Sequence, residues 1–286
     1  MFRSISASWE LIKASAAVLR SDKELIVFPC ISAVATLIVT ATFAAPLFLA
    51  GIFSGITSGQ RNPQVAGIVI GFLFYLVQYF IIFFTNTALV GAAMLRLQGG
   101  QGTVGAGFQI ALQRTGPIFG YTLIAATVGV ILRWIAERFG FVGQIVASLL
   151  GLSWNLATYL VVPILVVENV GPIEAIQGST RLLKRTWGEQ IVGNIGFGAV
   201  FGLLTLAVML LGAAGIALAA STRALALIVG VVVVGAFLAL GLVSSALGGI
   251  YRAALYRYAA TGQIAAGFSP DLIQGAFRQK RSRSFG

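Results

Sequence analysis

Glu168 is the residue whose position most invites chemistry. It closes an apolar run, Val161-Val162-Pro163-Ile164-Leu165-Val166-Val167, and Asn169 follows it. A carboxylate at the edge of a hydrophobic segment can bind a proton or cation, accept hydrogen bonds from the next helix, or simply end the span. Span termination is the simplest of these, with Arg181 or Arg185 as the expected partner. Four amides, Gln78, Asn86, Asn155 and Asn194, fall inside or near apolar runs. Each can tie helices together for about 0.6 kcal/mol. Alternatively, Asn86, Asn155 and Asn194 could share a polar pathway with Glu168. Arg181, Lys184 and Arg185 form a third group. They occupy an amphipathic stretch between two apolar runs and are suited to anionic headgroups at a membrane interface.

Other chemistry is thinly supplied. The chain has no histidine, which removes the commonest general base and metal ligand. The single cysteine, Cys30, lies in the first apolar run, so no intramolecular disulfide can form. Of the eight acids, Glu10, Asp22, Glu24, Glu174 and Glu189 sit in or beside basic interfacial stretches, and Asp271 is in the tail. They read as solvated or paired charges. Glu137 has the spacing for an i,i+4 pair with Arg133. Gly99-Gly100-Gln101-Gly102 is not a phosphate loop, because no Gly-Lys-Ser/Thr follows. No catalytic residue, metal ligand or cofactor is therefore assigned.

The elements that must position these residues are membrane spans. Of the 286 residues, 58% are hydrophobic and only 9% are charged, where a soluble domain has about 25% charged residues. Mean hydropathy is +0.95. Many of the 35 glycines lie within apolar runs, where they permit close helix contact in lipid. The long apolar run starts near Leu25, after a polar amphipathic stretch, which is unlike a cleaved signal peptide.

Six spans are expected, at Leu25–Phe53, Val65–Leu95, Ile118–Trp134, Phe141–Val167, Ile191–Ala219 and Ala224–Ile250. Amphipathic helices are expected at Phe2–Arg20, Thr103–Thr115 and from Pro172 to Trp187. Ser21-Asp22-Lys23-Glu24 has capping-box spacing ahead of the first span. Tyr251, Arg252, Tyr256, Arg257 and Tyr258 read as an interfacial anchor. The fold class is thus an all-α polytopic transmembrane bundle, with six spans in three antiparallel hairpins and interfacial amphipathic helices.

Residues 1–263 form one integral membrane domain on this reading. It divides into repeat units at 1–100, 101–170 and 171–263, or else simply contains three hairpins. Residues 264–286 form a short cytoplasmic helix from Ser269-Pro270 and a polybasic tail.

Charge sets the expected topology. With both termini cytoplasmic, only Arg61, Arg133, Arg138 and Arg223 of the 19 basic residues lie outside, a strong positive-inside bias. The location expected is the cell (inner, cytoplasmic) membrane. The net charge of +11 then speaks for anionic headgroups at the cytoplasmic face rather than nucleic acid. A membrane-protein partner or a second copy is the other partner class.

Several stretches carry a family resemblance. They are Ser6-x-Ser8-Trp9-Glu10-Leu11-Ile12-Lys13, Leu19-Arg20-x-Asp22-Lys23-Glu24-Leu25-x-x-Phe28-Pro29, Val162-Pro163-x-Leu165-Val166-Val167-Glu168, Gly171-Pro172-Ile173-Glu174-Ala175 and Leu183-Lys184-Arg185-Thr186-Trp187-Gly188-Glu189. Over about residues 1–260 the chain resembles a family of prokaryotic polytopic membrane proteins of unknown function. The resemblance implies six spans and no catalytic residue, and it singles out Pro163, Glu168 and Trp187. The basic tail departs from it.

The leading expectation is a non-enzymatic bundle with a structural, lipid-associated or assembly role. The alternative is a small-solute or lipid transporter with a polar route near Glu168. An intramembrane enzyme ranks third, because no nucleophile–base pair is evident.

Overall fold

A computed structural model describes residues 2–49, 65–187, 196–218, 222–264 and 268. Its α-helices, in chain order, are α1 (Phe2–Ser21), α2 (Val27–Leu49), α3 (Val65–Leu97), α4 (Val104–Gln113), α5 (Thr115–Arg138), α6 (Gly140–Ala157), α7 (Val161–Val167), α8 (Pro172–Trp187), α9 (Gly196–Leu218) and α10 (Arg223–Thr261). Among the described residues, six segments are long and apolar enough to cross a bilayer. The chain is an all-α, six-span polytopic helical bundle. The expected tail helix, the polybasic run and Asn194 lie outside the described residues.

Two compact units share the chain. The first comprises Met1–Ile26, Ala93–Gly102 and Leu182–Gly286, and the second Val27–Ala92 and Thr103–Arg181. In the first, α1 packs on α9 and α10. Its apolar stripe supplies Ile12 to a core with Val200, Phe201 and Leu247, flanked by Ala16 and Leu19. The polar side of α1 carries an exposed Lys13–Glu10 pair at 2.8 Å, worth well under about 1 kcal/mol. Helices α9 and α10 run antiparallel. Gly212 faces Val233 and Gly215 faces Val229, and a Cβ added at Gly212 would lie 2.9 Å from the Val233 methyls.

At 39 residues, α10 is about 58 Å long, well beyond the ~30 Å hydrocarbon core. Its first half exposes Leu227, Val231 and Val232, while Ala246, Leu247, Ile250, Tyr251, Ala253, Ala254, Leu255 and Tyr256 are buried. The cluster expected as an interfacial anchor is therefore largely packed inside protein. The Arg257 guanidinium donates to the Leu97 carbonyl at the end of α3, a cation on a helix C-terminus. Gly262, with φ 71°, closes α10.

In the second unit, α2 and α3 run antiparallel. The Gln78 amide donates to the Thr36 carbonyl at 3.2 Å and the Thr40 hydroxyl at 2.7 Å, and Phe43 meets Phe74 at 5.4 Å. The α3 aromatics also reach α5, with Phe83 and Tyr121 centroids 4.7 Å apart. Helix α5 doubles back into α6 through Phe139, and Gly151 comes alongside Leu132.

Local starts and stops differ from expectation where side chains compete for backbone groups. Ser21 does not open the first span. It ends α1, and its hydroxyl donates to the Val18 carbonyl at 2.8 Å. A 3-10 turn, Lys23–Ile26, precedes α2. The glycine-rich elbow does form a helix, because Thr103 caps α4 by accepting from the Ala106 N–H. Gly107 is there for space. A Cβ on it would lie 2.5 Å from the Phe28 ring and 2.6 Å from the Ala88 carbonyl. Pro117 falls in the first turn of α5, where its missing N–H is not needed.

Candidate functional site

The fourth span, expected to be continuous, is interrupted. Helix α6 ends at Ala157, residues 158–160 form a turn, and α7 resumes at Val161. Pro163 supplies the reason. An uninterrupted helix would press its ring against the Tyr159 carbonyl and would need an N–H that proline lacks. Restarting at Val161 places Pro163 in the first turn, where no N–H is required.

The break is closed by local bonds. The Thr158 N–H and hydroxyl both reach the Trp154 carbonyl, at 2.9 and 2.8 Å, and Val161 N–H reaches the Thr158 carbonyl at 3.1 Å. Leu160 donates its N–H to the Ser179 hydroxyl at 3.0 Å, in a buried bond. Ser179 and Leu160 are 0% and 1% exposed. In hydrocarbon or packed protein an orphaned N–H is expensive, so the α8 hydroxyl substitutes for the missing helical acceptor.

The polar elbow follows. Glu168 caps α7, its N–H reaching the Ile164 carbonyl at 2.7 Å, and its side chain is half-buried. Asn169 accepts a hydrogen bond from the Arg114 guanidinium, which projects from the junction of α4 and α5. Pro172 begins α8 against Gly120, where a Cβ would lie 2.9 Å from the proline ring. Glu174, at the third helical position, folds its carboxylate back over Gly171. That is the placement of a capping-box acid, favoured by the helix dipole.

Helix α8 then presents two faces. Ala175, Ser179 and Leu183 are buried, at spacings of four, and Gly178 lets Ile164 approach. Arg181, Lys184 and Arg185 are exposed. Ile173 is exposed and Ile176 is half-buried. The Trp187 side chain is outside the described residues.

Asn86 is half-buried on α3, and Asn155 is exposed on α6 just before the interruption. Gln78 is occupied in joining α2 to α3. Arg114, Asn169 and Ser179 were not singled out by sequence reasoning, although they brace the elbow. Arg114 gave only a charge, and Ser179 looked like one more polar residue on an amphipathic helix. Among the described residues no three histidine, cysteine or acidic side chains gather as metal ligands.

The profile of a family of unknown function, DUF6159, matches residues 65–268, and the chain belongs to this family. Comparison with curated proteins and with solved structures finds no match.

Proposed function

We propose, taking membership of this multi-span family as the premise, that the protein is a non-enzymatic, lipid-associated bundle. It holds basic helices against anionic headgroups. One observation carries the reading. Helix α8 buries Ala175, Ser179 and Leu183 and leaves Arg181, Lys184 and Arg185 exposed on its other side. A surface helix pinned this way holds its cations in fixed array instead of drifting in the interface, and each cation near an anionic surface contributes about 1 kcal/mol.

The fuller arrangement is three antiparallel hairpins with α1, α4 and α8 at the cytoplasmic face and both termini inside. The antiparallel contacts of α2 with α3, α5 with α6 and α9 with α10 support the hairpins. The distribution of lysine and arginine supports the orientation. A scaffold of this kind would serve membrane organisation or assembly, with a second copy or another membrane protein as partner.

The test is lipid enrichment. Protein reconstituted in mixed phosphatidylglycerol and phosphatidylcholine is re-extracted, and the retained lipid is identified by mass spectrometry. Wild type should retain phosphatidylglycerol in excess. A folded Arg181→Glu/Lys184→Glu/Arg185→Glu variant should lose that excess. Equal retention by both proteins contradicts the reading.

Transport is the second reading, and the interrupted fourth span favours it, because broken helices build substrate sites in many transporters. Half-buried Glu168 sits at the end of the broken span. Solute and lipid flux in proteoliposomes, compared with Glu168→Gln, decides it. Flux lost in a folded variant supports transport, and flux unchanged by the substitution removes Glu168 from the route.

A further inference from the structure

The turn between α5 and α6 is a single residue, Phe139. Gly140 adopts φ 55°, a left-handed conformation that disfavours other side chains. Gly143 packs against the Ile135 carbonyl with no room for a Cβ. This tip is covered with exposed apolar rings. Trp134 and Phe139 are each 59% exposed and Phe141 is 77% exposed. Trp134 and Phe139 meet edge to face at 6.2 Å, which fixes their orientation.

Charges accompany the rings. Arg133 donates to Glu137 at 2.8 Å and to the Tyr75 hydroxyl at 2.9 Å, and Arg138 is exposed beside them.

We propose that this turn is a bilayer anchor. The Trp134, Phe139 and Phe141 rings lie in the boundary between headgroups and acyl chains, with Arg133 and Arg138 at the phosphates. Two observations select the bilayer as the occupant. First, the exposed apolar surface does not stop below the turn. It continues down α5 through Ile131 and down α6 through Val142 and Leu149, so the tip extends the lipid-facing surface of the spans themselves. Second, the sequences joining the first span to the second and the fifth to the sixth are polar: Ser54, Thr57, Ser58, Gln60, Arg61 and Asn62 in one, Ser221-Thr222-Arg223 in the other. Three large rings at a water-exposed tip would form a contiguous apolar patch of a few hundred Å². Tryptophan is enriched at membrane interfaces, and arginines beside it can reach the headgroups.

The experiment uses the full chain with Trp134 as its only tryptophan (Trp9→Phe, Trp154→Phe, Trp187→Phe), in phosphatidylcholine vesicles. Trp134 emission should be blue-shifted. Lipids brominated near the headgroup should quench it more than lipids brominated near the chain ends, and aqueous acrylamide should quench it weakly. Strong acrylamide quenching without bromolipid quenching places the turn in water and overturns the proposal. Protection from both quenchers means protein covers the turn and also overturns it. If the triple substitution prevents folding, Phe141→Cys in a Cys30→Ser background, carrying an environment-sensitive fluorophore, reads the same three outcomes.

Discussion

Within the second unit two joints, one near each end of α5, are built in opposite ways. At one end, α5 passes into α6 through Phe139 alone, and the turn is closed by glycine geometry and covered with exposed rings. At the other, the region where α7 gives way to α8 is polar and heavily bonded. Leu160 N–H is held by Ser179, Asn169 by Arg114, and Glu174 folds over Gly171. Helix α5 connects the two, about 36 Å long by its 24 residues. The first turn leaves few backbone groups to satisfy and can present apolar side chains to lipid. The second exposes interrupted backbone, closed in part by local backbone bonds, and leaves a buried donor, Leu160 N–H, to be answered by a side chain. Side-chain hydrogen bonds should therefore determine stability at the elbow and contribute little at the aromatic turn.

The largest expected effect is at Gly107, on the elbow side. Gly107→Val forces a branched side chain into the Phe28 ring and the Ala88 carbonyl. Overpacking of this kind costs about 1–3 kcal/mol, and more where backbone is the obstacle. The unfolding temperature in nanodiscs should fall by several degrees, and an unchanged value would mean that the close approach is absent.

Ser179→Ala comes next. It strands the buried Leu160 N–H, a loss of about 1–3 kcal/mol. Its control is Ser15→Ala. Ser15 is equally buried, yet its hydroxyl has no hydrogen-bond partner among the described residues, so its removal should be neutral or stabilising. The pair sharpens the comparison, because one buried hydroxyl supports a broken backbone and the other supports nothing. Equal destabilisation by both would sink the account of the interruption.

Asn169→Ala should cost about 1 kcal/mol, the typical worth of one hydrogen bond, and should speed hydrogen exchange across residues 168–172. Glu137→Gln, at the opposite end, should change stability least. The Arg133–Glu137 pair is 64% and 66% exposed, and exposed pairs are worth about 0–1 kcal/mol. A large loss from Glu137→Gln together with a small one from Asn169→Ala would invert the comparison.

The sequence made the long-range plan legible and left the joints obscure. Apolar runs of span length and amphipathic stretches marked the six spans, α1, α4 and α8 because hydropathy and helical periodicity depend on local sequence alone. The interruption at residues 158–160 was hidden because Tyr159 and Leu160 are as apolar as a continuous span would be. Pro163 was visible, but whether a proline kinks a span, breaks it or opens a new turn depends on who accepts the displaced N–H. That acceptor, Ser179, is 19 residues further along the chain. Tyr251 and Tyr256 misled for a related reason. Tyrosine and arginine together suit either an interface or a packed helix end, and here Ala253, Ala254 and Leu255 are buried with them. Asn86, Asn155 and Asn194 were grouped because the expected topology sets them toward the cytoplasmic half. The structure leaves Asn155 exposed and Asn86 half-buried.

The central claim, that α8 offers a fixed basic face to anionic lipid, is tested most directly by unfolding in nanodiscs of rising phosphatidylglycerol content. The wild-type unfolding temperature should climb with phosphatidylglycerol, and added salt should blunt the rise. The Arg181→Glu/Lys184→Glu/Arg185→Glu variant should stay flat. A parallel climb in both proteins, or no climb in wild type, would contradict the account.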